Sequence, residues 1–207
     1  MSRVVIVSAG EISAEVQALL RPNDKIIACD AGYRRCEQLG VVPHIVVGDF
    51  DSAPQPDRPD LVVLPHIKDD TDTHYAAKLA VQQGAQEVLM LGALGGRRME
   101  HTLANLSTGL WLAKQGMAVT LADANSRITY VLPGKPQQYH RDGYQYLSVF
   151  PLEGKAEGVC IRGAFYPLEN AVLEADFPIG VSNEYANDVV EIACAHGSLL
   201  VVETRAD

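Results

Sequence analysis

Four aspartates stand where they could handle a phosphate. Asp30 lies in Asp30-Ala31-Gly32, Asp49 and Asp51 in Gly48-Asp49-Phe50-Asp51-Ser52, and Asp72 closes Lys68-Asp69-Asp70-Thr71-Asp72. A glycine-rich stretch, Gly92-Ala93-Leu94-Gly95-Gly96-Arg97-Arg98, follows further on. Taken singly, most have ordinary explanations: Asp30 with Gly32 as a turn, Thr71 or Asp72 as a helix cap, Gly95 and Gly96 as a sharp bend. Asp49 and Asp51 are harder to explain so. Like charges this close repel, and a divalent cation is what neutralises such a pair. Carboxylate oxygens suit Mg²⁺, which binds through a few of them together with waters and substrate phosphates. The glycines and Arg97 or Arg98 would then offer backbone donors and positive charge to phosphate oxygens. The chemistry indicated is metal-assisted phosphoryl or diphosphoryl transfer, and spacing leaves both open.

Such loops need a scaffold. Through residue 125 the chain alternates short apolar runs (4–8, 25–29, 45–47, 61–64, 87–91 and 118–122) with helical patterns. The runs have the length and β-branched content of buried parallel strands. Tyr75, Leu79 and Gln83 repeat at a four-residue step, and Leu103, Leu106, Leu110 and Ala113 share one side of a second pattern. This predicts an α/β domain over residues 1–125, a parallel sheet with helices on both faces. Ligands of such a sheet bind beyond the carboxyl ends of its strands, where all the acidic and glycine-rich loops would fall.

Residues 126–207 read differently. Strand-like runs at 127–132, 144–150, 158–162, 168–175, 189–194 and 198–203 are separated by turn formers. Asp142-Gly143 and His196-Gly197 are placed where tight hairpins need a positive φ. The expectation is an antiparallel β-sandwich or flattened barrel.

Composition bounds the function. Hydrophobic residues make up 47% and charged residues 21% of the 207, as in globular proteins generally. No apolar run approaches the roughly 20 residues that span a bilayer, and the start lacks a secretory signal. A cytoplasmic protein without membrane contact is expected. The net charge of −9, with no segregated basic face, argues against nucleic acid as a partner. Cys29, Cys36, Cys160 and Cys194 lack metal-ligand spacing and read as reduced thiols.

These motifs, in order and at suitable separations, resemble the thiamine pyrophosphokinase family. The resemblance rests on Asp30-Ala31-Gly32, on Pro43 through Ser52, on Lys68 through Asp72, on Gly92 through Asn105, and on Gly180-Val181-Ser182-Asn183-Glu184. It implies an ATP-dependent homodimeric enzyme that converts thiamine to thiamine diphosphate and releases AMP. The α/β domain would bind ATP and the β-sandwich would help bind thiamine. By position, Asp49, Asp51 and Asp72 would hold Mg²⁺, with Asp30 beside them as a fourth catalytic aspartate. Gly32, Ser52, Lys68, Thr71, Gly95, Gly96, Arg97 and Arg98 would join Asp30 and Asp51 in binding ATP. Ser182, Asn183 and Glu100 would meet thiamine. The chain departs from the family pattern at Ala31, where a glycine is usual. It also has an extra residue and Glu100 in place of Asp within Gly95-Gly96-Arg97-Arg98-Met99-Glu100-His101. Arg98 keeps the spacing to the acid and Arg97 keeps the spacing to the glycines.

Two rivals share the acidic edge: a diphosphokinase for another alcohol, such as a hydroxymethyl pterin, and a nucleotide-sensing module without turnover. His66, His74 and Asp70 could suggest a transition-metal site, but histidines near a helix start are more often structural. Trp111, inside the second helical pattern, reads as packing.

Overall fold

The computed structural model describes residues 2–50, 54–57, 59–65 and 69–206; Asp51, Ser52, His66 and Lys68 lie outside them. The chain forms two compact units, Met1–Ala124 and Asn125–Asp207.

In the first unit the apolar runs become six parallel strands: β1 (Arg3–Val7), β2 (Lys25–Cys29), β3 (Ile45–Gly48), β4 (Leu61–Val63), β5 (Glu87–Leu91) and β6 (Ala118–Ala122). They lie side by side in the order β6-β5-β1-β2-β3-β4. Val5 is matched to Ile26 on one side and to Leu89 on the other. Every residue of β1 is buried, which is why the run after Arg3 is apolar without alternation. Val5 and Val7 share a core with Cys36 of α1 (Gly32–Gln38), with Leu39 at its C-terminal cap, and with Val16 of a 3-10 helix, Ala14–Leu19. The alternate residues Val4 and Ile6 face the other way, the side on which α2 (Asp72–Gln82) packs; α3 (Met99–Lys114) packs on α2 and β6. Helices thus cover both faces. The 3-10 helix was not legible in the sequence.

The chain leaves β1 outward through β2, β3 and β4, then returns to lay β5 on the opposite side of β1. This reversal is a topological switch point, and it opens a crevice at the carboxyl ends of β1 and β5. The amino ends are closed by charge. Arg3 and Asp24, both buried, pair through two contacts of 2.7 Å.

The second unit is all antiparallel. Strands β7 (Ser126–Val131), β9 (Tyr146–Pro151), β12 (Asn183–Glu184) and β14 (Leu199–Thr204) lie in the order β12-β9-β14-β7. Strands β8 (Gln137–His140), β10 (Lys155–Arg162), β11 (Leu168–Glu174) and β13 (Val189–Ala193) form a second sheet in the order β11-β10-β13-β8. Leu147, Val149 and Val201 of one layer share a core with Val159, Ile161 and Ile192 of the other, as in a sandwich. Asp142, Gly143 and Gly197 do have positive φ, but the hairpins expected there do not form. β8 and β9 belong to different layers, as do β13 and β14. Every connection except β10–β11 changes layer. β8 and β12, too short to show a period, were also missed.

Candidate active site

A cavity of about 460 Å³ opens at the switch point. Asp30, Asp49 and Asp72 line it, from the ends of β2 and β3 and the start of α2. Asp30 takes a left-handed φ of 49°, and its N–H donates to the Val47 carbonyl at 2.7 Å. A Cβ on Gly48 would come within 3.0 Å of the Asp30 Cα, so glycine there lets the ends of β2 and β3 converge. That convergence brings Asp30 and Asp49 to one wall. Asp51 falls outside the described residues.

The glycine loop lies on the β5 side. Gly95, Gly96, Arg97 and Arg98 line the same cavity, and both glycines have positive φ. Two side chains of α3 hold the loop: Thr102 Oγ1 donates to the Gly95 carbonyl at 3.2 Å, and buried Asn105 Nδ2 donates to the Ala93 carbonyl at 2.8 Å. Asn105 is therefore a loop anchor. The exposed Arg98 donates to Glu100 at 2.7 Å, which holds the Glu100 carboxyl below its usual range. Glu100 itself does not line the cavity. Arg97 makes no hydrogen bond or ion pair among the described residues, which leaves its guanidinium open to an anion.

Other sequence expectations resolve into structure. Gly32 lies outside the cavity lining; a Cβ there would meet the Val7 carbonyl at 2.1 Å, so its smallness serves the seating of α1 on β1. Thr71 lines the cavity and also caps α2, its hydroxyl accepting from the His74 N–H at 3.1 Å. His74 meets Trp111 in a tilted ring contact at 4.9 Å between centroids and bonds Thr108 at 3.1 Å. Burial holds it below the usual imidazole range, and Asp70 is tied to Lys78 at 2.6 Å. Neither is offered to a transition metal. Ser52 and Lys68 lie outside the described residues.

Several lining residues were missed. Ser8 and Thr73, both buried, join hydroxyls at 3.0 Å and so tie the end of β1 to the first turn of α2 beside Asp72. The Cys29 thiol bonds the Asp72 carbonyl at 3.7 Å; burial, reinforced by Asp72, pushes that thiol up and keeps it protonated. Gly10 and Arg35 line the cavity as well. The strand-end rule applied to β1 as well as to β2, β3 and β5 would have found Ser8 and Gly10.

Among the described residues no group of three His, Cys, Asp or Glu side chains is arranged to hold a metal ion. The acidic donors in the cavity are carboxylates, which fit a hard cation that completes its shell with substrate phosphate and water.

In the second unit Ser182 has φ 56° and its N–H donates to Ser148 Oγ at 2.9 Å. The buried amide of Asn183 is engaged locally: Oδ1 accepts from the Tyr166 and Glu184 N–H groups, and Nδ2 donates to the Tyr166 carbonyl at 2.7 Å. Asn183 therefore holds the segment at Tyr166. Phe165, Tyr166, Phe177, Ile179 and Val181 are exposed nearby in sequence.

Comparison with known proteins agrees with this architecture. The family model "Thiamin pyrophosphokinase, catalytic domain" matches residues 16–121, and "Thiamin pyrophosphokinase, vitamin B1 binding domain" matches residues 136–199. The chain is similar to the solved thiamin pyrophosphokinase of Geobacillus thermodenitrificans at 26% identity and a TM-score of 0.87, covering 99% of this chain and 98% of that one. The thiamine pyrophosphokinase of Bacillus subtilis (22% identity, TM-score 0.89, all of both chains) and that of Candida albicans (15%, 0.81, 98% of this chain and 89% of that one) share the fold. No curated protein matches.

Proposed function

Since the chain belongs to the thiamin pyrophosphokinase family and is an ATP-dependent thiamine diphosphokinase, we propose that the cavity at the switch point is where its diphosphoryl transfer takes place. The reaction joins the thiamine hydroxyl oxygen to the β-phosphorus of ATP; the bond from that phosphorus to the bridging oxygen breaks, and AMP leaves with that oxygen. The observation that carries the reading is the meeting of Asp30, Asp49 and Asp72 with the Gly95-Gly96-Arg97 loop in one cavity.

On this reading the first unit binds ATP and the second binds thiamine. Family chemistry uses ATP with a divalent metal ion, and Asp49, Asp51 and Asp72 suit Mg²⁺ by donor type. When bound, the ion neutralises charge on the phosphate oxygens. The Gly95 and Gly96 N–H groups and Arg97 meet those oxygens from the opposite wall, where fixed donors favour the charge that develops in transfer. Thr71, Ser52 and Lys68 belong to the same ATP-binding set. For thiamine, Ser182 is the nearer candidate, with Asn183 acting through Tyr166 and Glu100 through Arg98. The exposed apolar side chains from Phe165 to Val181 support a homodimer, since such surfaces mark association sites. That no helix among the described residues is long and apolar enough to cross a membrane is compatible with a cytoplasmic setting.

The test is AMP release from ATP with Mg²⁺, run with thiamine and separately with a hydroxymethyl pterin. AMP and thiamine diphosphate in equal amounts are expected with thiamine, abolished by a chelator and restored by Mg²⁺. AMP with the pterin alone, or with neither alcohol, would overturn the reading.

A further inference from the structure

Arg35 does not belong to the motifs that drew attention in the sequence, yet among the described lining residues it is the one guanidinium carried by a helix. Arg97 and Arg98 are exposed on the loop before α3. Arg35 is half-buried on α1, which packs on the opposite face of the sheet. Of the five N–H groups of an arginine, Nε donates to the Ala9 carbonyl at 3.3 Å and one on Nη1 to Gln38 Oε1 at 3.2 Å. Three donors therefore remain, on a side chain already fixed at two points.

A second hollow, about 510 Å³, is lined by Ile12, Ala14, Gln38 and Leu39. Arg35 and Glu11 line both this hollow and the acidic cavity, so they mark the junction. The acidic cavity suits phosphates. The hollow sets the Ile12 side chain beside the Gln38 amide, groups that can meet a nucleoside. A nucleotide laid across the junction puts the phosphate nearest its ribose beside Arg35.

We propose that Arg35 binds the α-phosphate of ATP, and of the AMP product, with the nucleoside in the hollow beside Ile12 and Gln38. The inference rests on the cavity being the transfer site. Glu11, Asp30, Asp49 and Asp72 make the cavity acidic, so an anion entering it needs fixed cations. Arg35 on one side and Arg97 on the other supply them at the two ends of the phosphate chain. A guanidinium can grip two oxygens of one phosphate, and a pre-fixed one loses little freedom in doing so.

Calorimetric binding of AMP and of adenosine separates a phosphate contact from a merely structural role. Arg35→Gln is expected to weaken AMP roughly 10- to 100-fold, the range for a hydrogen bond to a charged group, and to leave adenosine unchanged. The KM for ATP should rise and the KM for thiamine should not. Arg35→Lys, which keeps the charge and loses the fork, should fall between; its AMP-to-adenosine ratio also decides the matter if Arg35→Gln fails to fold. Unchanged AMP binding, or equal losses for AMP and adenosine, overturns the inference. A wild-type protein that makes no AMP from ATP and thiamine overturns the reading of the cavity instead.

Discussion

Asp49 shows how much one residue type can say and where it stops. Its charge, its spacing from Asp51 and its place after an apolar run pointed to a phosphate site from the sequence, because an acidic pair in a strand-end loop has few structural uses. The structure places Asp49 on the cavity with Asp30 and Asp72. Asn in its place keeps the size and removes the charge. Asp49→Asn should lower kcat at least a hundredfold, corresponding to about 3 kcal/mol of lost transition-state stabilisation, with the folded signal by circular dichroism unchanged. Wild-type turnover would remove Asp49 from the mechanism. Ser8, Thr73 and Arg35 were not legible in the same way. A serine, a threonine or an arginine has many structural uses, and only the tertiary pairing Ser8–Thr73 or the junction at Arg35 sets these apart. The local bonds of Asn183 were not legible either, since the sequence could not tell that its amide meets Tyr166 and Glu184.

At the scale of elements, the parallel strands were legible because burial on both faces demands unbroken apolar runs. The turns of the second unit were legible only in part. Asp142-Gly143 announces a positive φ locally, but whether the flanking strands pair or change layer is decided by contacts far away in the chain. Element packing also sets the catalytic edge. The Ser8–Thr73 hydrogen bond fixes the first turn of α2, and with it Asp72, against the end of β1. Thr73→Val is nearly isosteric and leaves the buried Ser8 hydroxyl without this bond, at about 1–3 kcal/mol. The thermal midpoint should drop by several degrees, and kcat should fall with the KM for thiamine little changed. Thr73→Ser should recover turnover. If the serine variant were as impaired as valine, a methyl contact and not the hydroxyl would be what positions α2.

For the molecule as a whole, each unit has its own core and its own ion pair on a buried carboxylate. In the second, fully buried Glu203 accepts from Arg127 at 2.6 and 2.7 Å and from the Tyr185 hydroxyl. In the first, Arg3 and Asp24 meet at the amino ends of the strands, away from the cavity. Burial pushes the Asp24 carboxyl up, but the hydrogen bonds from Arg3 and the Arg21 N–H outweigh it and leave the group below its ordinary 3.8. A carboxylate held low in the fold stabilises fully above its unfolded value, and that contribution is lost as pH falls through the lower, folded value. Asp24→Asn removes the closest countercharge of Arg3, which keeps Glu87 at 3.4 Å and the Leu19 carbonyl at 2.6 Å; losing the charge-assisted bonds costs about 1.5–3 kcal/mol and should lower the midpoint of the first unit at neutral pH by several degrees. The gap between variant and wild type should close as pH falls below the ordinary carboxylate range, because wild-type Asp24 then protonates too. The fluorophores separate the units. The single tryptophan, Trp111, lies in the first, whereas six of the eight tyrosines lie in the second. Melting followed by Trp111 emission across pH should show the closing gap. Parallel curves at every pH would mean that Asp24 does not set the acid limit of the first unit.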